Sequence, residues 1–103
     1  MKDEIEVYNI INKSFDIREP EKVTLESIKE ELNLRIRYLL DKNLEHLVSL
    51  IYRIDLNQKM VDEIFSTGSK EDIAGSLAEA IIERQLLKVR TRNFYKNNPK
   101  EIE

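Results

Sequence analysis

The chain of 103 residues contains no cysteine, no tryptophan, one histidine, two glycines and two prolines. Without cysteine it can form neither disulfide bonds nor thiolate metal sites, and it has no cysteine nucleophile. Gly68 and Gly75 stand apart, so they do not form a glycine-rich phosphate loop. The scarcity of glycine and proline, together with many Leu, Ile, Glu and Lys residues, is typical of a helical protein.

Long apolar runs are also missing from the sequence. The acidic residues 1–6 are not followed by an apolar segment of signal-peptide or membrane-spanning length. Together with the absence of cysteine, this predicts a cytoplasmic protein that does not bind membranes. The length of 103 residues predicts one helical domain over residues 1–103.

Apolar residues spaced three and four apart predict an all-α fold, a compact bundle of four main helices. The predicted N-caps of the four helices are Thr24, Asn43, Asn57 and Ser69. Residues 1–23 form an N-terminal arm that would add a fifth short helix, and residues 97–103 form a frayed tail. The second of the four helices has a predicted core stripe of Leu44, Leu47, Val48, Ile51 and Ile54.

The last helix, predicted over residues 69–96, changes character along one face. Ala74, Ala78 and Ile81 form a core stripe, and Gly75 beside the two alanines predicts a close helix crossing. Beyond residue 83 the same side of the helix carries polar and basic residues, namely Arg84, Gln85, Lys88, Arg92 and Lys96. We therefore expect the helix to extend beyond the core near Arg84.

The basic end of this helix is the candidate contact surface for a partner or a phosphate. Arg84, Lys88, Arg92 and Lys96 lie four residues apart, and like charges at this spacing destabilise an isolated helix. An acidic group should offset this repulsion. It could come from the protein's own acidic N-terminal segment, a second copy, another protein or nucleic-acid phosphates. Because residues 1–31 carry more acids than bases, we also expect a strong charge dipole.

Leu86, Leu87 and Phe94 point away from the predicted core stripe and form a candidate interface. Apolar residues clustered near a helix end are typical of an interaction surface. Tyr8, Ile11 and Phe15 of the N-terminal arm could cover them, and so could a second copy of the chain.

The sequence offers no catalytic or metal-binding constellation. His46 is preceded at three residues by Asn43 and not by the glutamate of a di-iron motif. Ser49 lies one turn from His46, but nothing in the sequence supplies an oxyanion hole or a third member of a triad. We therefore predict no enzymatic activity, no cofactor and no small-molecule substrate.

Three segments, YLLD at 38–41, LIYRID at 50–55 and IIERQ at 81–85, are followed by Lys88 and Arg92. Over residues 25–92 this pattern resembles a family of small bacterial all-helical proteins to which no activity is attached. The resemblance implies a helical fold and draws attention to four polar residues, Tyr52, Arg53, Asp55 and Glu83, besides Arg84. They either form ion pairs between helices, with Arg53 or Arg84 as the cation, or present a shared polar surface to a partner.

Taken together, these features predict a protein–protein interaction module that presents the end of the last helix from Arg84 to Lys96. Its partner would be either another protein or a second copy of the chain. The alternative is an RNA- or ribosome-associated accessory protein that uses the same cations.

Overall fold

The structure is a computed structural model that describes residues 2–66 and 68–97. These residues form five α-helices and no strand. The helices are α1 (Lys2–Phe15), α2 (Leu25–Lys42), α3 (Leu44–Ile54), α4 (Gln58–Phe65) and α5 (Lys70–Asn97). The all-α prediction is confirmed. The fifth helix is α1, whose 14 residues make it longer than α3 and α4.

Four of the helices begin at the predicted N-caps. The hydroxyl of Thr24 accepts a hydrogen bond from the Ser27 amide at 3.0 Å, and the Ser27 hydroxyl accepts one from the Thr24 amide at 2.9 Å. This reciprocal pair is a capping box with serine in place of the usual glutamate. Asn43, Asn57 and Ser69 each accept one bond from the amide three residues later. These bonds satisfy donors that have no partner within the helix.

The connections between helices are short, and they determine how α3 leaves α2. Asn43 ends α2 by donating its amide to the Leu39 carbonyl, and its side chain caps α3. A joint of one residue forces a sharp change of direction between the two helices. Asp55 ends α3 in the left-handed conformation, at a φ of 62°. Helix α4 ends at its C-cap Ser66, and Gly68 lies two residues further on.

The core lies mainly between α2 and α5, with α1 packed on α5 and α3 on α2. The largest side chains that are almost completely buried are Val7, Ile11, Phe15, Ile28, Leu32, Ile36, Leu39, Leu47, Leu50, Leu77, Ile81 and Val89. Three of these belong to α1, so the predicted N-terminal arm contributes a core helix. Of the predicted frayed tail, Asn97 is the last helical residue and 98–103 lie outside the described residues.

The burial of α5 continues beyond the predicted point. Gln85 and Val89 are both buried, although Arg84 was expected to mark the edge of the core. The expectation is wrong because α1 packs against α5 and places Val7 and Ile11 in the same core cluster as Val89. Periodicity within α5 alone gives no information about this neighbour.

The space around Gly75 shows how closely α2 and α5 approach each other. A Cβ atom at Gly75 would lie 3.7 Å from the Asn33 side-chain nitrogen, an ordinary contact distance. The crossing therefore does not require a glycine. We expect Gly75→Ala to raise the free energy of unfolding by about 0.5–1 kcal/mol, because alanine loses less backbone entropy in a helix.

Denaturant unfolding followed by circular dichroism measures this change. The control is Gly68→Ala, which should destabilise the protein because Gly68 has a φ of 129° that side chains rarely allow. A loss of stability in Gly75→Ala would mean that the two helices are closer than the 3.7 Å clearance at Gly75 indicates.

Candidate protein interaction surface

The basic end of α5 lies against acidic residues of α1. Arg92 pairs with the Glu6 carboxylate at 3.0 Å, and Arg90 lies 3.6 Å from the Asp3 carboxylate. The side-chain amide of Asn93 donates hydrogen bonds to both carboxylates, at 3.1 and 3.3 Å. The protein's own N-terminal segment thus supplies part of the negative charge that the spacing of the cations required.

Asp55 supplies a third carboxylate to the same helix. Its carboxylate lies 3.4 Å from the Arg84 guanidinium and 3.7 Å from the Lys88 ammonium. Arg84 therefore pairs with an acid across two helices, as one interpretation of the sequence motif predicted. Lys96 is exposed and forms no ion pair with the described carboxylates.

These contacts change the expected distribution of charge. The sequence predicted a strong dipole, but acids from the first helix lie directly on cations of the last. The prediction is wrong at this end of the molecule, because residues far apart in the chain become neighbours in the bundle.

The three residues of the predicted α5 interface do not share one environment. Leu86 packs partly against the core, whereas Leu87 and Phe94 are exposed. The Phe94 ring meets the Tyr95 ring edge-on, with 5.6 Å between the centroids. Leu87 lines a cleft of about 440 Å³ with the motif residues Asp55 and Glu83 and with Leu56, Asn57, Met60, Ala80 and Arg84.

A continuous row of exposed apolar residues lies on α3. Leu44, Val48 and Tyr52 follow one another at four-residue spacing and are 50, 40 and 70% exposed. The core side of α3 consists of Leu47, Leu50, Ile51 and Ile54. The predicted core stripe is therefore wrong for Leu44 and Val48, because α3 is apolar over a wider arc than its neighbours in the bundle cover.

The groove beside these residues separates α3 from α4. Its volume is about 300 Å³, and it is lined by Leu44, Val48, Ile51, Tyr52, Gln58, Val61, Asp62 and Phe65. We call the exposed stripe of Leu44, Val48 and Tyr52, with this groove, the α3 face. On its other side runs a polar row of Glu45, Ser49 and Arg53, also exposed and also at four-residue spacing. Two motif residues, Tyr52 and Arg53, thus lie on or beside the face.

Gln85 holds the end of α3 against α5, and sequence reasoning missed it. Its side-chain amide donates a hydrogen bond of 3.2 Å to the Ile54 carbonyl in the last turn of α3. Carbonyls of a last turn have no partner within their own helix, so this bond satisfies one of them. Helical periodicity places Gln85 on the same side of α5 as the neighbouring cations. Only the position of α3 reveals that its side chain is buried.

Tyr8 and Asp41, which lie away from the α3 face, have shifted pKa values. Burial raises the pKa of Tyr8, and the negative charges of Glu19 and Asp16 add to this effect. The hydrogen bond and charge of Lys70, followed by the charge of Lys42, lower the pKa of Asp41. Neither arrangement places a general acid or base beside a second reactive group.

Among residues 2–66 and 68–97, no three His, Asp or Glu side chains converge in a way that could hold a metal ion. No helix in this part of the chain combines the length and apolar character needed to cross a bilayer.

Comparison with known proteins leaves the resemblance untested. No family model, no curated protein and no solved structure matches the chain. The relation to small bacterial all-helical proteins therefore remains a proposal based on the segments quoted above.

The bond from Gln85 should make a measurable contribution to stability. We expect Gln85→Leu to lower the free energy of unfolding by about 1–3 kcal/mol, because it leaves the buried Ile54 carbonyl without a donor. Urea unfolding measures this loss. Gln58→Leu is the control, since Gln58 is exposed and its side chain bonds to Asp62 across the α4 surface; its effect should stay within about 0.5 kcal/mol. Equal effects of the two substitutions would contradict the role of Gln85.

The contact between Glu6 and Arg92 should be weak and sensitive to salt. A double-mutant cycle with Glu6→Gln and Arg92→Gln should give a coupling energy of about 0.2–1 kcal/mol at low salt. Salt at about 0.5 M should reduce it by screening. The ion pair of Lys29 and Glu79 serves as the comparison. Its charged atoms are 3.8 Å apart, against 3.0 Å for Arg92 and Glu6, so its coupling energy should be smaller. A coupling that does not change with salt would contradict an electrostatic contact.

Proposed function

We propose that this chain is a cytoplasmic, non-enzymatic protein–protein interaction module that binds an amphipathic helix of its partner along the α3 face. The observation that carries the proposal is the exposure of Leu44, Val48 and Tyr52 in one continuous stripe. Single exposed apolar residues are common on soluble proteins, whereas a stripe beside an apolar groove is typical of an interaction site.

The form of the face favours a helix as the ligand. A groove between two helices accepts an amphipathic helix whose apolar residues recur at three- and four-residue spacing. The groove between α3 and α4 is lined at its edges by the half-buried Phe65 and the exposed Tyr52. Tyrosine and phenylalanine contribute large apolar areas to interfaces at a small cost in side-chain entropy.

The ion pairs described above favour the α3 face over the basic end of α5. Arg84 and Lys88 share Asp55, and Arg92 pairs with Glu6, so these cations already have acidic neighbours. A phosphate or an acidic protein would have to compete with these carboxylates. The RNA- or ribosome-associated alternative therefore has less support than protein binding, and no separate observation favours it.

Cross-linking from position 52 tests the proposal. Tyr52 is replaced by the photoreactive p-benzoylphenylalanine in cells that produce the protein, and the adducts formed in ultraviolet light are mapped by mass spectrometry. We expect adducts at a helical segment with apolar residues three and four apart. A second substitution, Val48→Lys, should abolish them, because it places a charge at the centre of the face.

The matched control is the same replacement at Tyr38, which is 54% exposed on α2 and stacks on Arg35. Val48→Lys should change the melting temperature little, since Val48 is exposed and lysine has the higher helix propensity. Adducts at position 52 that are no more frequent than at position 38, or that persist with Val48→Lys, would refute the proposal.

A further inference from the structure

We propose that the helix bound by the α3 face is α3 of a second copy of this chain, packed antiparallel about a two-fold axis near Val48 and Ser49. The inference rests on the proposed function of the α3 face and specifies its partner. It is based on the order of the charged and apolar residues along α3.

Two rows run side by side along the exposed part of α3. The first row is Leu44, Val48 and Tyr52, and the second is Glu45, Ser49 and Arg53. Rows of residues four apart are the ridges that interlock when two helices cross at about −50°, the commonest packing in globular proteins. The α3 face therefore has the surface relief of a helix–helix contact.

The charges of the second row match those of a second copy in reverse order. In an antiparallel pair centred between Val48 and Ser49, Glu45 of each copy faces Arg53 of the other. A two-fold interface requires such a self-complementary surface, since every contact occurs twice. A parallel pair would instead place like charges together.

Neither charge is satisfied within the described part of the chain. The side chains of Glu45 and Arg53 form no ion pair or hydrogen bond among the residues that the structure describes. They lie two turns apart on one helix, which is too far for them to pair with each other. Four of the cations on α5 have such intramolecular partners.

The residue at the centre of the second row also suits a close approach of two helices. Ser49 is small, so it would lie at the crossing point where side chains limit the distance between the axes. Leu44 and Tyr52 of opposite copies would then pack together on the apolar side. The rim charges would mainly determine the orientation, because exposed ion pairs contribute little affinity.

Charge reversal tests the orientation. Sedimentation velocity at protein concentrations from about 10 µM to about 1 mM measures the dimer fraction of the full chain. We expect the wild type to dimerise and Glu45→Arg and Arg53→Glu each to weaken dimerisation about tenfold, because each places like charges together at two positions. An equimolar mixture of the two variants should regain wild-type association, since both cross-pairs of the mixed dimer are again opposite in charge.

The control for the reversal is Glu26→Arg. Glu26 occupies the second position of α2 as Glu45 does in α3, so it reports the effect of losing an acid in a first turn. It should leave the dimer unchanged. Thermal melts of all the variants confirm that each chain is folded.

The possible outcomes separate this inference from the proposed function. A wild type that is monomeric over the whole concentration range, or a dimer that persists with Val48→Lys, would overturn the inference. So would a mixture that associates no better than its components. If cross-links from position 52 then map to a helix of another protein, the proposed function still stands; if they are absent as well, both proposals fail.

Discussion

The fold depends on covering a helix that is longer than any of its neighbours. The 28 residues of α5 extend about 42 Å, whereas the 18 residues of α2 extend about 27 Å. No single helix of this bundle can therefore cover the apolar side of α5. Helix α2 makes its main contact with α5, and α1 and α4 pack against it as well. The position of α1 is what allows Val89 to be buried.

The same constraint explains where the apolar surface remains open. Helices α1, α2 and α4 all contact α5, whereas α3 packs mainly against α1 and α2. Within residues 2–66 and 68–97, the outer part of its apolar arc has no neighbour apart from the edge of α4. Gln85 secures the end of α3, so the exposed stripe lies on a helix held in a fixed position. A rigid helix of this kind suits recognition, because little further order is lost on binding.

Local features were predictable from the sequence, and features that depend on distant neighbours were not. The N-caps at Thr24, Asn43 and Asn57 follow from bonds to residues three positions away, so the local sequence contains the necessary information. The burial of Val89 and the ion pair of Arg92 depend on α1, which is more than 70 residues away along the chain. Periodicity identifies an apolar arc on α3, but it does not state which part of that arc the fold covers.

The contact between the first and last helices has a consequence for how the chain is made. Asn93 bonds to Asp3 across 90 residues, so the ribosome releases nearly the whole described chain before this contact can form. Until then α1, with its buried residues Val7, Ile11 and Phe15, lacks part of the α5 surface on which it packs. Contacts of such high sequence separation carry a large loop-closure entropy and slow folding. In vectorial synthesis α1 therefore emerges before the other four described helices and is one of the last to be buried, so its apolar side depends on protection until α5 has been made.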